Sequence, residues 1–354
     1  MYQDTAYNTE NLIEQSEGEA LGYWTKKLNS ANKFRHRKAD ETVSISAIKD
    51  YLPSDEIIMT REAIDKDGNK TTKELFWNEK DLLKESFNPI TQFYLIIVAL
   101  AKVFFYSSFP FLTLTLLYLL LSSPDEENSK IFFELLPGFQ YFVLPCGLIY
   151  GHALLMDKKG FHWLIPPFIK VGNLFSLNRQ TGMVTLYKRG NKVRFSHPFS
   201  EFDCYFISSP TPQGHKNTAL ALAHRYNNYK QGVPLHLLLG TDESVLECQN
   251  LWNMIQRYMD VSQPLPDCII LEESRERDPV TAAYDKETGR NPRYWRDMTD
   301  EEYLAALKKL NKAQQENTES APLIDIIKGE VLDTPMVVQH KPQKHPKNRY
   351  KHKK

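Results

Sequence analysis

The rhythm of apolar and polar positions changes from segment to segment along this chain, and each rhythm predicts a different element. Between Thr91 and Leu121 (TQFYLIIVALAKVFFYSSFPFLTLTLLYLLL) the run is apolar on every face, with Lys102 its one charge. A helix rises about 1.5 Å per residue and the hydrocarbon layer of a bilayer is about 30 Å thick, so about twenty such residues cross it. The run is long enough, and it predicts a membrane span. A lysine in mid-membrane costs about 2.5 to 3.5 kcal/mol on insertion scales. The expected crossing is therefore Val103 to Leu121, with Lys102 snorkelling at the interface and Gln92 to Lys102 as an interfacial lead-in. After a short acidic link, Ser122 to Lys130, a weaker apolar segment runs from Ile131 to Met156 and contains Glu134, Pro137, Gln140, Pro145 and His152. So short a link makes the two segments antiparallel neighbours, a two-helix transmembrane hairpin over residues 91–156. Gly147 and Gly151 are spaced to let the first helix approach closely. Lys102, Glu134 and His152 form the candidate polar site within the membrane.

Elsewhere the pattern is that of an α+β protein. Residues 1–90 read as an N-terminal region with a β-hairpin at 57–77 turning at Asp67-Gly68, then a short amphipathic helix, Asn78 to Phe87, stopped by Asn88-Pro89. Past the hairpin, alternating runs at 173–178, 183–188 and 192–196 are separated by RQTG and RGN turns, as in a meander. Further runs stand at 204–208, 219–226 and 233–239. The period then lengthens: Thr241 to Asp260 places Val245, Cys248, Trp252, Ile255 and Met259 on one stripe of a helix. Several antiparallel strands and one C-terminal amphipathic helix outline, over 157–262, a small antiparallel β-barrel closed by its helix, as in pleckstrin-homology (PH-like) domains. Residues 263–354 read as a C-terminal arm. In it Asp278 to Asp297 is extended, Thr299 and Glu302 form a capping box for a helix over 299–314, and Leu323 to Val338 is a strand or docking segment.

Formal charge sums to zero, yet Met1 to Ala20 carries no base and Lys341 to Lys354 no acid, so both ends are expected to be mobile. The basic cluster of Lys26, Lys27, Lys33, Arg35, Arg37 and Lys38 is either a solvated linker or a contact for anionic lipid. Lys158 and Lys159, beyond the second span, join the candidate lipid contacts. Lysines flank the outer ends of both spans while Asp125, Glu126 and Glu127 fill the link, which puts both termini in the cytoplasm. No secretory signal pattern opens the sequence.

Little in this sequence points to catalysis. The four cysteines are scattered without a CxxC pair and read as reduced thiols. No two histidines stand at ligand spacing on one predicted helix, and Asp65, Asp67 and Asn69 fail as a calcium loop. Nucleophile elbows, phosphate loops and HExxH are absent from the sequence. A non-enzymatic protein is expected, with no catalytic, cofactor or metal residues. Nucleic acid is not an expected partner, since near the basic tail only Tyr350 offers a ring for stacking.

The stretch LFSLNRQTGMVTLYKRGNKVRFSHPFSEFDCYF, Leu174 to Phe206, following a two-helix hairpin, resembles an uncharacterised family of bacterial inner-membrane proteins associated with type VI secretion and toxin-immunity loci. FSLNRQTG and HPFSEF carry most of the likeness, which extends over Gln92 to Asp260. It implies a multi-pass inner-membrane protein that binds lipid and a protein partner, as an immunity protein or as an adaptor or accessory protein of an effector. It brings no catalytic residues. The alternative is a lipid-responsive, membrane-anchored PH-like module that reads anionic headgroups.

Overall fold

The computed structural model describes residues 2–15, 22–27, 32–44, 77–122, 137–157, 166–210, 216–238, 245–316 and 322–332. It is a mixed α+β protein with antiparallel sheets and two long apolar helices. The chain divides into two compact units: Glu85–Leu174 with Tyr187–Arg194, and Met1–Lys84 with Phe175–Leu186 and Phe195–Lys354.

The first unit is built on helix α1, Pro89–Ser122, and helix α2, Leu144–Asp157. Asn88-Pro89, expected to stop a helix, starts one instead. The Asn88 side chain accepts from the Thr91 backbone N–H at 2.8 Å, and proline suits the first helical position because its missing N–H would have had no partner there. α1 runs without a break through Lys102 and through Pro110. α2 is preceded by a π-helical turn, Phe139–Val143, in which the Leu144 N–H bonds to the Phe139 carbonyl. Pro145 accounts for it, since its ring crowds the carbonyl four residues back and offers no N–H in return. The helices lie antiparallel: Tyr94 meets His152, Phe105 meets Tyr150, and Leu112 meets Gly138, so positions advance on one as they recede on the other. A Cβ on Gly147 would lie 3.0 Å from the Phe105 ring, so this glycine is where the helices close up. Gly151, expected to share that role, would have nothing within 4 Å. The link 123–130, the start of the second apolar segment and the 57–77 hairpin lie outside the described residues.

The predicted meander appears as β3 (Val171–Asn178), β4 (Met183–Lys188) and β5 (Lys192–Pro198), whose first strand also has β2 (Asp81–Phe87) beside it. β3 and β4 are antiparallel, with Phe175 opposite Leu186 and Asn178 opposite Met183. Gly182 in their turn has φ of 70°, and a Cβ there would come within 2.4 Å of the Thr5 carbonyl, so only glycine fits. The other sheet has the order β1 (Lys33–Phe34), β6 (Phe202–Pro210), β7 (Lys216–His224) and β8 (Val233–Pro234). A 3-10 corner, Phe199–Glu201, carries the chain from β5 into β6. The closed barrel expected from the sequence does not form among the described strands. β6 has β1 on one edge and β7 on the other, which leaves no edge for β5, so both sheets stay open.

Helix α3, Val245–Met259, follows the sheets and buries the predicted stripe: Cys248, Trp252, Ile255 and Met259 are inside, and only Val245 is exposed. Its C-terminus is fixed by Arg179, wholly buried, whose guanidinium donates to the carbonyls of Asp260 at 2.9 Å and Gln263 at 2.7 Å and pairs with Asp278 at 3.1 Å. The guanidinium also donates to the carbonyls of Arg257, at 3.3 Å, and Tyr258, which belong to the last turn of α3 and are among the orphan acceptors that a helix end presents.

Three sequence expectations change here. Asn78–Phe87 is not a helix: Asn78 turns back to accept from Lys80 and Asp81 N–H groups, and β2 joins a sheet that buries Leu82. Asp278–Asp297 is not an extended arm. Asp278 accepts from Thr281 N–H and caps helix α4, Pro279–Thr288, which ends at the left-handed Gly289. Residues 2–15 of the acidic leader are tied to the fold, because Thr9 bonds through its backbone and its hydroxyl to Asp260, and Gln15 N–H bonds to the Ile327 carbonyl. The predicted C-terminal helix is α5, Asp300–Glu316, with Thr299 and Glu302 making the capping box. Leu323–Val338 contributes a hairpin of β9 (Leu323–Asp325) and β10 (Glu330–Leu332), the residues after 332 lying outside the description.

Candidate functional site

Two groups of polar side chains stand out, one in each unit. On the helix pair, the Tyr94 hydroxyl lies 3.0 Å from His152 Nδ1, which gives that polar residue a partner on the opposite helix. The Lys102 Nζ sits 5.9 Å from the centre of the Tyr150 ring, close enough for a cation–π contact. Tyr150 in turn touches Tyr106, with ring centroids 5.7 Å apart. Lys102 and His152 therefore have separate aromatic partners and are not brought together, and Glu134 lies outside the described residues. This arrangement lets polar groups sit on two apolar helices with their polar ends satisfied. It supplies no general acid and base facing one another.

The basic residues singled out as lipid contacts are dispersed. Lys26 and Lys27 end a short helix, Tyr23–Lys27, and Lys27 Nζ stays 3.2 Å from the Tyr23 hydroxyl. Lys38 pairs with Glu10 at 3.8 Å, while Arg35 and Arg37 bind by backbone groups to Trp252 and Gln256 of α3. Lys158 and Lys159 lie outside the described residues.

The second unit assembles a cluster that sequence reasoning missed. His197 ends β5, Glu201 sits on the 3-10 corner, His224 ends β7, and Tyr229 follows in the next loop. A ligand atom from each of His197, Glu201 and His224 lies within 4.8 Å of the others, the size of a metal site. Spacing could not reveal it, because His224 reaches Glu201 through the β6–β7 register, which sets Phe202 opposite His224.

The hydrogen bonds decide what this cluster is. His224 Nδ1 accepts the backbone N–H of Asn227 at 2.9 Å and of Tyr226 at 3.2 Å, so that nitrogen carries no proton. The ring proton therefore sits on Nε2 and is donated to Glu201 Oε2 at 2.8 Å. His197 Nδ1 lies 3.4 Å from the same oxygen, and its Nε2 is 3.0 Å from the Tyr229 hydroxyl. One carboxylate oxygen thus faces both imidazoles. The hydrogen bond from His224 holds Glu201 below the usual carboxylate range, more than burial raises it. Burial lowers His197, and the neighbouring His224 lowers it further.

A metal on His224 Nε2 would need a ring stripped of both protons, since a ligating histidine keeps a proton on its other nitrogen to donate outward. These residues do not fit a metal. They form a polar clasp joining the corner, β7 and the following loop, sealed by Phe195 stacked on Tyr229 at 4.6 Å.

Compared with protein-family models, with curated proteins and with solved structures, the chain finds no match in any of the three.

Proposed function

We propose that this chain is a bacterial inner-membrane protein that acts by binding another protein. In this reading α1 and α2 cross the bilayer as a hairpin and anchor a cytoplasmic, PH-like α+β domain. In its specific form, which rests on the resemblance at Leu174 to Phe206, the partner is a type VI secretion effector. The protein then serves as its immunity protein or as the adaptor that holds it.

One observation carries the reading. α1 keeps large apolar side chains exposed all round its axis: Val103 is 64 % exposed, Phe104 54 % and Tyr106 59 %, and steps of about 100° per residue point these three in different directions. A soluble helix hides one stripe and wets the other. A helix with no wet side belongs in a solvent as apolar as itself. α1, and α2 taken together with the π-helical turn before it as Phe139–Met156, are long and apolar enough to cross a membrane. Two open antiparallel sheets followed by an amphipathic helix support the PH-like part.

Co-expression with the candidate toxin encoded next to this gene tests the proposal. The expected result is protection of the cell or co-purification of the two proteins from detergent extracts. Unchanged killing with no co-purification would reject it.

A further inference from the structure

A cavity of about 480 Å³ opens in the α+β unit between the Glu41–Val43 segment, α4, α5 and the turn that holds Trp295. Three arginines line it, and they are not equivalent. Arg275 is saturated by Asp285, at 2.8 Å from Nε and 2.6 Å from Nη2, and by the Leu265 carbonyl at 2.9 Å. Arg290 is likewise held by both oxygens of Asp267, at 3.0 and 2.7 Å. Arg257 differs. It is only 7 % exposed, yet among the described residues its one hydrogen bond runs from Nε to the Pro264 carbonyl at 3.1 Å. Among the described residues its terminal nitrogens have one acceptor nearby, Glu41, 4.0 Å from Nη2 and on a side chain 78 % exposed.

The two terminal N–H pairs of a guanidinium form the fork that matches a two-oxygen anion, and those of Arg257 open into the cavity rather than onto a protein acceptor. Burial pulls the Arg257 pKa below its ordinary value, consistent with a cation short of compensation. The Glu41 carboxylate, which also accepts the Tyr284 hydroxyl at 3.2 Å, marks the direction from which an oxyanion approaches. Lys309 on α5 adds a second cation with no ion-pair partner among the described residues. The walls are flat and apolar: Trp295 is 6 % exposed with its Nε1 already committed to Asp267, and Tyr294 stands beside it.

We propose that this cavity binds a small oxyanion, a carboxylate or phosphate borne on a flat apolar body, which takes the place Glu41 now holds between Arg257 and Tyr284. Glu41 is then an internal competitor. Its removal strengthens binding, whereas removal of Lys309 weakens it.

The test is titration of the full chain in detergent micelles with benzoate and with phenyl phosphate, using phenol as the uncharged control. The tighter of the two anions names the group. Glu41→Gln is expected to tighten anion binding by about threefold to tenfold, and Lys309→Ala to weaken it by a similar factor, as one exposed charge contact is worth. Both substituted side chains are exposed, so neither change is expected to disturb folding. Phenol binding as tightly as the anions would overturn the proposal. So would anion affinities that neither substitution alters, or no anion binding up to about 10 mM, beyond the weakest specific affinities.

Discussion

His36 lies edge-on between Trp252 and Phe199, with ring centroids 5.2 and 6.1 Å away, and is only 3 % exposed. Its Nε2 is 3.0 Å from the Phe202 carbonyl and so must be the donor, while its Nδ1 is buried without a partner among the described residues. Adding a proton there would place a second, unsatisfied donor in the core. Burial, helped by the nearby Arg225, accordingly pulls its pKa down from 6.5 to about 4. The sign follows from linkage: as pH falls below the unfolded value, the unfolded chain takes up a proton that the folded chain refuses. Stability is complete above that value and declines on acidification until the folded pKa is reached. The drop from this residue is on the order of 3 kcal/mol. Denaturant titrations followed by tryptophan fluorescence should show it between pH 6.5 and 4, with a shallower slope in His36→Gln. An unchanged slope would refute the assignment. Arg179 illustrates the opposite strategy. It is equally buried but carries its charge, because Asp278 and a ring of carbonyls receive its donors.

At the scale of the elements, the close approach of α1 and α2 rests on Gly147, where a side chain would meet the Phe105 ring, and not on Gly151. Gly147→Leu should loosen the pair and cost about 1 to 3 kcal/mol, as overpacking does. Gly151→Ala should be neutral. Heat denaturation of the two variants in micelles compares them directly, and equal effects would contradict the packing. The same elements show what the sequence made legible. Local periodicity exposed the β3–β5 meander, the buried stripe of α3 and the capping box of α5, because each pattern is completed within one turn or strand. It did not expose β2, since Asp81 to Phe87 suits a helix locally and becomes a strand only by pairing with β3, far along the chain. Nor did it expose α4, although Asp278-Pro279 and Gly289 are strong start and stop signals. There the surrounding charges masked them. The His197–Glu201–His224 clasp and the Arg257 cavity were hidden for the same physical reason: sheet register and helix packing bring together residues that the sequence keeps apart.

At the scale of the whole molecule, the protein has an apolar helix pair and an α+β unit in which the leader meets the C-terminal hairpin, Gln15 being bonded to Ile327. The helix pair is proposed to cross a bilayer. Lysines outside the spans and acids in the link then place the flanking regions in the cytoplasm. Reporter fusions that distinguish cytoplasm from periplasm, made after residues 90, 126 and 160 of the chain expressed in a bacterium, test this most directly. The predicted readings are cytoplasmic, periplasmic and cytoplasmic. A periplasmic reading at the last position, or a cytoplasmic one at the middle position, would contradict the hairpin.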